Sequence, residues 1–227
     1  MNLIILKDFS GSAECNYVLY NCKDAFPQFS CELKGGNLYA FISDFCYGSW
    51  GASEAIGGRA ESYSGEIKYN GKVMSMDDLK VLSAFIAEDK FFPEIPIDRE
   101  FMSCKTCLEY GIGLGNSRYS LEELKQIFEL DNGRYSRPFK NNVSGDIWKF
   151  TIVINYVLGK ELFCFPWMGE INKNRVEGVL KYISFLKSEG EIIIIPTSQE
   201  RYIKKYCDYY LKFEKARIKY QKNNLNP

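Results

Sequence analysis

Apolar positions along the chain recur with two different periods, and the places where one period gives way to the other mark out its elements. Residues 3–6 form a short β run, and 17–20 read as another, beyond a turn at Gly11-Ser12. At 29–33 apolar and polar residues alternate, Lys34-Gly35-Gly36-Asn37 makes a turn, and 38–42 is apolar throughout, as in a strand buried on both faces. A helix over 51–56 follows and closes at Gly57-Gly58, where a left-handed cap is easy for glycine. Residues 65–72 read as a strand running into an Asn70-Gly71 hairpin turn, a dipeptide that tolerates the positive φ such a turn needs.

From 91 to about 142 the pattern changes character. Pro93 and Pro96 break it, and 120–128 then has a Ser120 cap, Glu122 and Glu123 in the first turn, and the apolar spacing of a helix. This stretch predicts a helical insertion. A helix over 146–158, a strand over 161–165, a helix over 175–187 and a strand over 192–195 complete the chain. The last alternations are βαβ-like, which implies a parallel sheet covered on both faces and an α/β fold class.

Composition narrows the function. The 227 residues are 46% hydrophobic and 15% aromatic, enough for a substantial core. Lys+Arg and Asp+Glu balance at 29 each, with the basic residues gathered mainly after Lys204, so no net field recruits nucleic acid. The longest apolar runs, such as 191–196, fall far short of the roughly 20 residues a membrane span needs. Residues 1–9 lack a basic region before them and a cleavage site after them, so a cytoplasmic chain is expected. The eight cysteines are scattered, and reduced thiols are the expectation. Cys104 and Cys107 form a lone C-x-x-C; without a second pair or any histidine they read as ordinary helix residues rather than a zinc or redox site. The lack of histidine also removes any Ser-His or Cys-His nucleophile pair.

The order and spacing of several segments resemble the nucleotide-binding domain of ATP-binding cassette (ABC) transporters over nearly the whole chain. Gly36-Asn37-Leu38-Tyr39-Ala40-Phe41-Ile42 stands where that family has the strand entering its phosphate loop, Gly58 at the glycine closing the next helix, and Ser64-Gly65-Glu66-Ile67 at its S-G-x-I strand. The resemblance implies an ABC-type P-loop fold: a mixed sheet with flanking helices, an N-terminal antiparallel β portion, and one domain over 1–227 with a helical subdomain inserted at about 91–145.

It also implies a degenerate site. A working phosphate loop, G-x-x-x-x-G-K-[ST], cradles phosphates on backbone N–H groups, meets the β/γ-phosphates with its lysine and holds Mg²⁺ with its hydroxyl. Here 43–50 keeps only Gly48; Ser43 opens the loop, Ser49 replaces the lysine and Trp50 the hydroxyl. Glu88 stands for the Q-loop glutamine. Pro166 and Trp167 follow 162–165 where Walker B has its aspartate and glutamate, and neither can hold a metal or a proton. Ser198 occupies the switch-histidine position and Lys173 the D-loop aspartate, while Tyr20 remains as the aromatic able to stack on adenine. Ser144 and Gly145 survive from the signature motif, ahead of an Asp146 that would repel a γ-phosphate.

The implied function is a pseudo-ATPase subunit without catalytic residues or a metal site, for which no cofactor is expected beyond weak ATP binding. Its implied partners are an integral membrane subunit, met through Phe91 and Phe92, and a second cassette, met through a face carrying Phe45, Tyr47 and Trp50; its implied location is the inner face of the cell membrane. The alternative is a cassette-fold scaffold or regulatory binding protein with no transport role.

Overall fold

The computed structural model describes residues 2–17, 20–86, 92, 94–98, 101–139, 146–169, 173–214 and 217–222. β1 (Leu3–Tyr17) and β2 (Tyr20–Lys34) form a long antiparallel ladder, extended by β4 (Ser62–Tyr69) and β5 (Lys72–Val73) into a sheet of order β2-β1-β4-β5. The turn expected at Gly11-Ser12 is absent, because β1 runs straight through it and Gly11 pairs with both Phe26 and Tyr63. Gly11 serves close approach instead: a Cβ there would collide with the Ser62 carbonyl oxygen. What breaks the pattern is a pair of register shifts, between Leu6 and Phe9 and between Phe9 and Gly11, with Asp8 at φ 51° inside the first. The Asn70-Gly71 turn is as the sequence predicts, with φ of 48° and 85° at its two residues.

The second sheet has the order β10-β9-β3-β8-β7-β6. Within it β3 (Asn37–Ile42), β6 (Ser83–Phe85), β7 (Leu162–Cys164), β8 (Ile192–Thr197) and β9 (Tyr209–Glu214) are parallel, and β10 (Arg217–Lys222) pairs antiparallel at one edge. The helices are α1 (Ser49–Glu54), running into a π-helical segment (Ala55–Arg59), α2 (Met76–Leu82), α3 (Cys104–Gly113), α4 (Leu121–Ile127), α5 (Asn132–Tyr135), α6 (Ile147–Val157), α7 (Lys173–Glu189) and α8 (Glu200–Ile203). The α4 cap is the expected one, a reciprocal pair of hydrogen bonds between Ser120 and Glu123. None of the described helices is long and apolar enough to cross a membrane.

The core lies on both faces of the second sheet. Along β3, Leu38, Ala40 and Ile42 join one apolar cluster and Tyr39 and Phe41 the other; along β8, Ile193 and Ile195 alternate with Ile192 and Ile194 in the same way. One cluster reaches α3, α4, α6 and α7 through Leu108, Leu124, Ile152 and Ile183. The other fills the space beneath the antiparallel sheet with Ile4, Leu6, Phe9 and Phe26. Cys104 and Cys107 are buried helix residues, and burial pushes the Cys107 thiol up to about 12. The expectation of reduced thiols fails at one pair: Cys22 and Cys46 are disulfide-bonded, because β2 carries Cys22 directly against the loop that follows β3.

Candidate functional site

The loop 43–48 leaves the end of β3 and enters α1, the place that the resemblance assigns to a phosphate cradle. Its path is set by Cys46 at φ 59° and Gly48 at φ 99°. The backbone N–H groups at the start of α1 point inward, and an acid from β2 meets them. Asp24, fully buried, accepts from Gly48 N at 2.7 Å and Gly51 N at 2.8 Å, with a further backbone bond from Trp50. Burial raises its pKa above the ordinary carboxylate value, while the three amide bonds pull the other way. Gly51 is required here, since a Cβ would run into the Asp24 carbonyl oxygen.

The side chains behind the loop are turned into the protein. Ser43 Oγ lies 2.6 Å from Ser49 Oγ and 2.8 Å from the Asp44 carbonyl, so the two hydroxyls bond within the protein. Trp50 is fully buried and donates from Nε1 to Glu54 at 3.1 Å. Glu54, also buried, pairs with Arg59 at 3.6 Å, and the Arg59 guanidinium stacks over the Phe85 ring at 3.4 Å. Trp50 therefore does not belong to an exposed aromatic face. Of the expected trio only Tyr47 is largely exposed, at 49%, while Phe45 packs edge-on to Trp167 with ring centroids 5.1 Å apart.

Beyond β7, Pro166 and Trp167 are buried next to this loop. Ser198 follows β8 and, with Ser43, Asp44, Tyr47, Glu200 and Lys212, lines a cleft of about 540 Å³. The structure thus brings the positions assigned to the phosphate loop, Walker B and the switch residue together at one end of the parallel strands. Phe92 is a correction: it is 2% exposed and packs against Phe139, so it is core rather than a docking residue. Glu88, Phe91, Ser144 and Gly145 lie outside the described residues, as do the side chains of Tyr20 and Lys173. Asp146, next to the signature position, is partly buried, which raises its pKa, but Arg134 at 2.9 Å and Lys149 at 3.3 Å outweigh this and hold it low.

The residue that sequence reasoning missed is Asp24. A single acid in a strand gives no local signal of its role; only the long β1–β2 ladder, which the broken pattern concealed, carries it to the start of α1.

A central parallel sheet with helices on it, an antiparallel sheet beside it and a strand-to-helix loop at the strand ends define a cassette-type α/β fold. No family model and no curated protein matches the sequence, but solved structures match the fold. An ATP-binding subunit of an ABC transporter aligns with a TM-score of 0.68 at 22% identity, over 97% of this chain and 90% of that one. A nucleotide-free ATP-binding cassette from an ABC transporter aligns at 0.67 and 12% identity over 99% and 92% of the two chains. A dimeric ATP-binding cassette in a post-hydrolysis state, bound to ADP and Pi, aligns at 0.67 and 11% identity over 99% of each. The fold of this chain is that of an ABC nucleotide-binding domain.

Proposed function

We propose that the chain is a catalytically degenerate cassette, a pseudo-ATPase subunit that pairs with a second cassette and docks on an integral membrane subunit. The observation that carries this reading is the occupied cradle: the Asp24 carboxylate already takes the N–H groups of Gly48 and Gly51. A nucleotide phosphate brought there would meet a second anion, and breaking the internal bonds would leave buried donors and a buried carboxylate without partners. The residues do not fit Mg-ATP. No lysine stands at Ser49, the Trp50 side chain is in the core, and Pro166 and Trp167 offer no side-chain carboxylate beside the loop.

Titration calorimetry of the isolated chain with Mg-ATP tests this, and no binding is expected at micromolar concentrations. Micromolar affinity would overturn it. Docking draws support from a groove of about 430 Å³ in which Val81 (69% exposed) and Leu114 (50% exposed) lie beside Tyr110 and Leu158. The burial of Phe92 favours the second reading, a cassette-fold scaffold with no transport role. Copurification with a polytopic membrane protein from detergent-solubilised membranes separates the two, since the scaffold reading expects none.

A further inference from the structure

Two ties run from β2 to the loop 43–48, and they are two residues apart on each side: Cys22 bonds to Cys46, and Asp24 accepts from Gly48. The cysteine Cα atoms are 6.3 Å apart across 24 residues of chain. At Cys46 the backbone takes φ 59°, a left-handed conformation that is unfavourable for a residue with a Cβ. A loop wound in this way keeps its shape through what it is tied to. Both bonded cysteines are partly exposed, whereas Cys15, Cys104, Cys107, Cys164 and Cys207 are buried. Cys31, on the same strand as Cys22, has its thiol pushed up to about 12 by burial and the charge of Glu32, so it supplies little thiolate for internal exchange. Cys15, the partner of Cys22 across the ladder, is fully buried and its thiol donates to the Ala13 carbonyl, so the partly exposed bond is open to an outside thiol.

We propose that Cys22–Cys46 is a thiol–disulfide exchange site for a dithiol reductant, and that its oxidised form latches the loop 43–48 to β2. A thiolate of the dithiol attacks one sulfur of the pair, the S–S bond breaks, and the other cysteine leaves as a thiolate and takes a proton. The second thiol of the reductant then attacks the first reductant sulfur and displaces the protein cysteine bonded to it, which leaves as a thiolate and takes a proton, so the protein gains two electrons and two protons while the dithiol closes to its own disulfide. The reduced loop keeps the Asp24 hydrogen bond at Gly48 but loses its covalent tie to β2, and Cys46 relaxes from its left-handed conformation.

The test uses the full chain after oxidation with oxidised dithiothreitol and after reduction with dithiothreitol. Alkylation in denaturant is expected to label six thiols in the oxidised form and all eight in the reduced form. Deuterium exchange in peptides covering 43–51 is expected to quicken about tenfold or more on reduction, with β8 unchanged. A Cys22→Ser/Cys46→Ser double variant should exchange at the fast rate in both buffers, and Cys22→Ala serves the same comparison if the double variant does not fold. Eight labelled thiols after the oxidising treatment, or equal loop exchange in the two states, would overturn the proposal. Neither result depends on nucleotide binding or on a membrane partner.

Discussion

A carboxylate set among converging backbone N–H groups satisfies donors that would otherwise be buried without partners, and Asp24 does so with backbone amides as its partners among the described residues. Asp24→Ala is therefore expected to destabilise the chain by about 3 kcal/mol, the scale of orphaning more than one buried donor. Asp24→Asn, which keeps one acceptor, should cost less. Urea unfolding measures both, and an unchanged midpoint for the alanine variant would remove Asp24 from its role. At the opposite end of the sheet Glu191 is 9% exposed and faces Glu161 and Glu189, with Asn2 as a donor at 3.4 Å and Arg118 and Lys160 on the rim of the same pocket. Burial, then those two acids, pushes its pKa from 4.5 to about 8. Between those pH values the folded chain keeps a proton that the unfolded chain has lost, so stability falls as pH rises through this window and levels off above about 8. The slope is at most roughly 1.4 kcal/mol per pH unit. Glu191→Gln should flatten it, as thermal melts across pH 5 to 9 would reveal. Neither residue could be singled out in the sequence, because each owes its state to partners far along the chain. Ser49, Trp50 and Pro166 could be given places in the candidate site from the sequence because each follows an apolar strand that the pattern marks.

Elements with one strong local signal were the legible ones. The apolar run of β3, the Ser120 cap of α4 and the Asn70-Gly71 turn need only near neighbours to be recognised, and all three stand where the pattern places them. β1 failed for the opposite reason: its bulges shift the alternation between Leu6 and Gly11, so one strand reads as two with a glycine turn between. β9 and β10 carry mixed aromatic and basic residues with no clear period, and their strand character comes from pairing with β3 and with each other. The role given to Gly11 makes a prediction at this scale. Gly11→Ala pushes a methyl group into the Ser62 carbonyl and should cost about 1–3 kcal/mol by urea unfolding, although alanine suits a strand at least as well as glycine. A neutral result would mean that β1 and β4 separate there at no cost.

At the scale of the whole molecule the proposed degeneracy rests on at least four segments of chain: Asp24 on β2, the loop before α1, Pro166 and Trp167 after β7, and Ser198 after β8. Ser49→Lys alone is accordingly expected to give no ATP turnover in a phosphate-release assay. It should also lower stability, because it places a long cation in a fully buried position bonded to Ser43. Measurable hydrolysis in that variant would show that the site positions are misplaced. The strand order has a consequence for how such a chain is made. The two neighbours of β3 in its sheet are β8 and β9, which begin at Ile192 and Tyr209. During synthesis this apolar strand is made about 150 residues before the first of these partners, with both edges open to wrong pairing. The nascent chain then stays vulnerable while about 150 of its 227 residues are made, which gives chaperones a long window in which to act on it.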